Sequence, residues 1–129
     1  MKLPLDTHAF LWFVFGQKEL SSRATAAIND PSNEVYVSLV SMWEVAIKHA
    51  RGRLELKDQP DVFFASEMIK NGFVYLPIKP AHVFSAAALT LTDHRDPFDR
   101  ALAAQAKVEG LVLVSADEKL DRYGIQRLS

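Results

Sequence analysis

Four carboxylates in this sequence, Asp6, Glu44, Asp99 and Asp117, stand where one regular element gives way to the next. Asp6 follows an apolar run at 2–5, Glu44 follows a second run at 35–38, Asp99 falls in the first turn of a segment opened by Pro97, and Asp117 lies just past a third run at 111–115. Acids drawn together repel and raise one another's pKa values, so a positive charge is needed to hold them. A hard divalent cation suits the task. Mg²⁺ and Mn²⁺ prefer oxygen ligands, and Mg²⁺ keeps several waters while binding a few carboxylates and a substrate phosphate. Such a centre lowers the pKa of a bound water, aligns it and neutralises charge in the transition state, which is the equipment of phosphodiester hydrolysis.

Each acid also has a simpler role. Ser41-Met42-Trp43-Glu44 reads as a capping box, with Glu44 one turn before Lys48. Asp96-Pro97-Phe98-Asp99 reads as a helix start with an N-cap acid and proline at the first position. Asp117 can cap a final helix, Ser115 with Glu118 forms another box, and Asp6 can cap the helix behind it. A cap contributes about 1 kcal/mol and accounts for any one of these acids better than a metal does. It does not require all four to share an edge, whereas the metal reading does.

Whether they meet depends on the elements that carry them. The apolar and β-branched patterns predict strands at 2–5, 35–38, 73–76 and 111–115, with an edge strand at 125–128. Pro4 is awkward in the first, because proline removes a ladder donor and is unusual in a central strand. Helices are expected at 9–15, from Ser21 or Ser22 through Ile28, at 42–50 closed by Gly52, from Pro60 to Gly72 with Val62, Phe63, Ser66 and Ile69 inward, from Pro80 onward, and from Pro97 to Glu109. A polar loop at 92–95 separates the last two. Strands alternating with helices predict an α/β sandwich around a mostly parallel sheet, whose strand carboxyl ends line up along one ligand-binding edge.

Composition narrows the partners. A chain of 129 residues, 49% hydrophobic, is of a size for one domain, and the absence of Cys excludes disulfides and thiolate metal sites. The stretch 9–15 is too short to span a bilayer and has no cleavage signature, so a cytoplasmic protein with no membrane contact is expected. Fifteen basic and sixteen acidic residues give a net charge of −1, so attraction for a polyanion must be local. Two basic groups qualify: Lys48, His49, Arg51, Arg53 and Lys57, which a helix C-terminus explains equally well, and His94, Arg95 and Arg100. His8, His49, His82 and His94 match no zinc spacing, and core or surface placement is expected for each. Trp12, Phe13, Phe15 and Trp43 are expected in the core or an interface.

Four segments in register carry a family resemblance: Leu5-Asp6-Thr7-His8-Ala9; Ser38 through Lys48 with Trp43-Glu44 at its centre; His94-Arg95-Asp96-Pro97-Phe98-Asp99-Arg100 followed by Ala103-Ala104-Gln105-Ala106; and Leu113-Val114-Ser115-Ala116-Asp117. In order and spacing these resemble the PIN-domain ribonuclease toxins of the VapC type, over essentially the whole chain. The resemblance implies a PIN-like three-layer sandwich of about five parallel strands with helices on both faces. It implies an acid cluster binding Mg²⁺ or Mn²⁺, with Asp6 and Asp99 as the firmest ligands and Glu44 and Asp117 completing the set. It further implies endoribonuclease activity on RNA, commonly tRNA, a homodimer, and a cognate antitoxin. Ser115 stands where relatives carry Thr or Ser, so its hydroxyl either holds a metal-bound water or caps a helix.

A receiver-type signalling domain also puts an acid pocket at a parallel sheet edge, but wants adjacent acids early and an acid directly after a middle strand, which 73–76 lacks. Phosphatases with an Asp-x-Asp nucleophile are disfavoured by His8 in the second acid's place. The remaining alternative is a PIN-fold module that binds RNA or a partner without cutting it.

Overall fold

The computed structural model describes residues 1–89 and 96–129. Five strands, β1 (Lys2–Leu5), β2 (Glu34–Ser38), β3 (Val74–Leu76), β4 (Val112–Val114) and β5 (Gln126–Leu128), form one sheet in the order β3-β2-β1-β4-β5, with every neighbouring pair parallel. Around it lie α1 (Thr7–Val14), α2 (Ser22–Asn29), α3 (Leu39–Ala50), α4 (Pro60–Asn71), α5 (Pro80–Ala88) and α6 (Pro97–Glu109), with a short 3-10 helix at Glu118–Tyr123. The expected five-stranded α/β architecture is the one observed.

Alternation along the strands divides the core in two. Leu3, Leu5, Val35 and Val37 face α1, α2 and α4, where Phe10 lies 5.2 Å from Phe64 in a stacked pair and meets Phe63 edge-on. Leu113 faces the other way, onto Ala103 and Ala106 of α6, with Leu120 and Tyr123. Small residues on α6 let that helix lie close to the sheet.

Pro4 does not bulge β1, which keeps continuous register with β2 from Lys2↔Glu34 to Leu5↔Val37. The Asp6 N–H donates to Val114 O at 3.0 Å, and N–H groups alternate sides along a strand, so the donor missing at Pro4 is one that would face β4. Accordingly β1 pairs with β4 only at Leu5↔Val114.

Three local expectations are corrected. Helix α1 begins at Thr7, not residue 9, because Asp6 itself is the N-cap. Helix α3 begins at Leu39, not 42: Ser38 caps it by accepting from the Val40 N–H, so Ser41 is not the cap and Glu44 lies in the second turn. On α4 the inward residues are Phe63, Phe64 and Met68, whereas Val62 and Ile69 are exposed, because the aromatic cluster around Phe10 draws both phenylalanines inward and rotates the helix. The cap at Gly72 is as expected, with φ at +67°, where a side chain would be strained.

Candidate active site

Chain direction across the sheet reverses at β1, which has β2 on one side and β4 on the other. In a parallel α/β sheet this is where the connections leave to opposite faces and a crevice opens beyond the strand carboxyl ends. Asp6 leaves β1 into that crevice and Asp117 lies beyond β4. Asp6, Asp99 and Asp117 line one cavity of about 370 Å³, with His8, Trp12 and Ala116 completing its wall. Three acids up to 111 residues apart, from Asp6 to Asp117, are thus brought together.

Capping and gathering turn out to be compatible. Asp6 Oδ1 accepts from the Ala9 N–H at 2.7 Å, and Asp117 Oδ1 accepts from the Lys119 N–H at 3.0 Å. Helix α6 is capped by Asp96, which accepts from the N–H groups of Phe98 and Asp99, so the Asp99 carboxylate is not the cap of its own helix. Asp6 is buried, and burial pushes its carboxyl above the usual carboxylate range. Hydrogen bonds from the Ser115 hydroxyl and the Ala9 N–H and the nearby His8 oppose that rise, and the charge of Asp117 adds to it. Ser115 also accepts from the Asp117 N–H at 3.1 Å, so one buried hydroxyl joins the two acids. That link between Asp6 and Asp117 is what the two sequence readings of Ser115 missed.

Glu44 is not among the residues that line this cavity. Its side chain is 4% exposed, and Oε2 accepts from Lys48 at 2.7 Å, the i,i+4 pair expected from sequence. Its Oε1 is buried without a hydrogen-bond partner among the described residues. An unsatisfied buried carboxylate oxygen costs about 1–3 kcal/mol or more, so this atom is a demand for a cation, a donor or water.

Side-chain bonds tie together the helices that bear the acids. Thr7 Oγ1 donates to Ser41 Oγ at 3.0 Å, linking α1 to α3. The Ser38 hydroxyl donates to Gln105 Oε1, linking the start of α3 to α6. Gln105 Nε2 donates to Pro77 O and approaches His82 Nδ1, which accepts from the Lys79 N–H; His82 Nε2 therefore carries the proton and donates to Glu109 at 2.9 Å. Sequence reasoning expected core or surface placement for His82, which is buried, and quoted Gln105 only within the family motif, so the network that joins them was not foreseen.

Among the described residues no three or more acidic or histidine side chains are close enough to hold a metal ion by themselves. The donor set still fits a hard cation: the cavity holds only oxygen donors and one imidazole, and Asp6 is destabilised by burial as an anion; outside the cavity, Glu44 Oε1 lacks a partner among the described residues. Mg²⁺ usually binds through one or two carboxylates plus waters and substrate phosphate, so an all-protein cage is not needed.

The basic group at Lys48 and His49 belongs to the last turn of α3. A 12-residue helix is about 18 Å long and α3 starts at the site edge, so those cations sit at its far end. His94 and Arg95 lie outside the described residues. His8 is exposed, as expected for a surface histidine, and Trp43 is exposed too, in edge contact with Phe98.

A PIN domain model matches residues 4–126. The chain belongs to the PIN domain family. Proteins of that family are generally nucleases. Among solved structures, the chain is similar to VapBC2 from Rickettsia felis bound to a promoter DNA fragment, with a TM-score of 0.71 at 12% identity, covering 99% of this chain and 98% of that one. It is similar to VapBC-1 from nontypeable Haemophilus influenzae, with a TM-score of 0.71 at 18% identity, covering 100% and 98%. DNA-bound VapBC from Salmonella typhimurium gives a TM-score of 0.69 at 18% identity, covering 99% and 97%. No curated protein matches the sequence. At these identities the likeness of the PIN chain to those structures is one of fold.

Proposed function

We propose that this PIN domain, the whole of residues 1–129, is a metal-dependent endoribonuclease and the toxin of a toxin–antitoxin pair. The observation that carries the reading is the shared cavity of Asp6, Asp99 and Asp117 at the sheet's switch point. The similarity in fold to toxins crystallised with their antitoxins supports the same reading. Asp6, Asp99 and Asp117 hold Mg²⁺, or Mn²⁺ in its place, and Glu44, outside their cavity and paired with Lys48, supports the cluster from beyond its lining. When bound, the ion supplies charge neutralisation and a more acidic water to phosphodiester hydrolysis.

The chain's own residues do the positioning. Asp6, anchored by the Ala9 N–H and Ser115, offers a carboxylate whose orientation is fixed before substrate arrives. Ser115 sets the spacing of Asp6 and Asp117, and the Thr7–Ser41 bond ties α1 to α3 beside them. Burial of Asp6 strengthens its attraction for any cation that enters. The working form is a cytoplasmic homodimer that a cognate antitoxin neutralises. Among the described residues no helix is long and apolar enough to cross a membrane.

Incubation of purified protein with total RNA, with Mg²⁺ or with EDTA, tests the proposal. New fragments are expected with Mg²⁺ alone and are lost in Asp99→Asn. RNA that the wild type binds but never cuts would favour the non-cleaving PIN module instead.

A further inference from the structure

The cavity that carries the acids has a neighbour. Trp12 and Ala116 line both the acid cavity and a second, smaller one of about 190 Å³, so a single aromatic side chain stands in the wall common to the two. We propose that this second cavity is a nucleobase subsite, which receives an unpaired base beside the phosphodiester held at the acids, with Trp12 as its stacking wall. The placing of the scissile bond rests on the nuclease reading above; the binding of the base does not.

The aromatic residues of α1 and its C-cap Phe15 divide sharply. Phe10, Phe13 and Phe15 all pack against phenylalanines of the core cluster. Trp12 instead stacks on exposed His8 one turn earlier, with ring centroids 5.6 Å apart and planes 25° apart, and it remains half-buried at the cavity mouth. Aromatic rings facing water beside a phosphodiester site are the usual platform for single-stranded nucleic acid, since every base has a π-face.

Shape and chemistry agree with a base. The inner wall is apolar, from Leu20, Ala24, Val114 and Leu128, and 190 Å³ is room for one planar ring system and not for a base pair. The polar side chains on it are Glu19, Ser21, Ser115 and Ser129, with no Lys or Arg, so the cavity does not suit a phosphate. Glu19 is an acceptor at the rim, and a carboxylate accepts from an exocyclic amino group as on cytosine N4. Ala116, like Trp12, lines this wall and the acid cavity alike, so a base held here adjoins the acids. A base inside a duplex cannot enter without unstacking, so the subsite selects unpaired nucleotides.

Binding is read in EDTA from tryptophan fluorescence of a Trp43→Phe background, in which Trp12 is the remaining tryptophan, using short oligo(C) and oligo(U). Quenching is expected with both, several-fold tighter for oligo(C), and Glu19→Gln removes that preference. In Mg²⁺ cleavage of a single-stranded RNA, Trp12→Leu raises KM about tenfold with kcat little changed, while Trp12→Phe stays near wild type. No quenching, or cleavage by Trp12→Leu with wild-type KM, overturns the subsite and leaves the nuclease standing. Equal affinity for oligo(C) and oligo(U) overturns the role of Glu19. Quenching without cleavage by any variant keeps the subsite and overturns the nuclease. If Trp12→Leu cuts normally but escapes neutralisation by the antitoxin, the wall serves a protein partner and the base reading falls.

Discussion

Two sets of polar side chains near α3, one satisfied and one not, differ in one respect. In the first, Ser38, Gln105, His82 and Glu109 form a chain in which each donor meets an acceptor, and it runs from the start of α3 to the end of α6. Among the acids, Asp6 is buried with its carboxyl pushed above the usual range, and Glu44 Oε1, outside the acid cavity, is buried with no partner among the described residues. A satisfied network rigidifies, whereas an unsatisfied one waits for a ligand. The contrast separates the groups that build the fold from those that await chemistry.

The largest expected effect falls on the second cluster. Asp6→Asn is expected to lower RNA cleavage by roughly 10²–10³ while leaving the urea midpoint unchanged or higher, because a buried charge is removed. Loss of both activity and stability would make Asp6 a structural group and erase the contrast. Gln105→Leu should do the opposite. It strips the Ser38 hydroxyl of its acceptor and Pro77 O of its donor, which costs about 2–3 kcal/mol in urea unfolding, with cleavage by the folded fraction close to wild type.

Metal binding sharpens the comparison. Saturating Mg²⁺ at about 100 times its dissociation constant stabilises the wild type by about 2.7 kcal/mol, seen as a rise in Tm. The same rise is expected in Gln105→Leu and is expected to vanish in Asp6→Asn.

The smallest effect is in pH, and the two clusters should show opposite signs in metal-free buffer. The folded carboxyl of Asp6 is raised by burial, so its contribution favours folding below the unfolded carboxylate pKa and is lost as pH rises through the folded value. Glu109 is lowered, first by the hydrogen bond from His82 and then by Lys79, so its contribution is present above the unfolded pKa and is lost as pH falls through the folded value. Tm against pH for Asp6→Asn and Glu109→Gln should flatten the two flanks separately; parallel curves for both variants would refute the assignment.

Much of this was legible in the residues. Asp96-Pro97 and Gly110 bound α6 as expected, and the run at 111–115 became β4, because proline, glycine and caps act locally. Misplaced features were those settled by contact at a distance. Ser38, not Ser41, caps α3 because Ser41 is held by Thr7 of another helix. Val62 and Ile69 face water because α4 answers to Phe10.

The sequence by itself determined the alternation of strands and helices, the positions of the acids at element ends and the family motifs, since spacing and backbone preference are properties of neighbouring residues. Only the tertiary structure decided which acids share a space. Strand order put β4 beside β1, and so Asp117 beside Asp6, while Glu44 stayed with Lys48. Parallel pairing is made between segments more than a hundred residues apart, and no local preference can specify that.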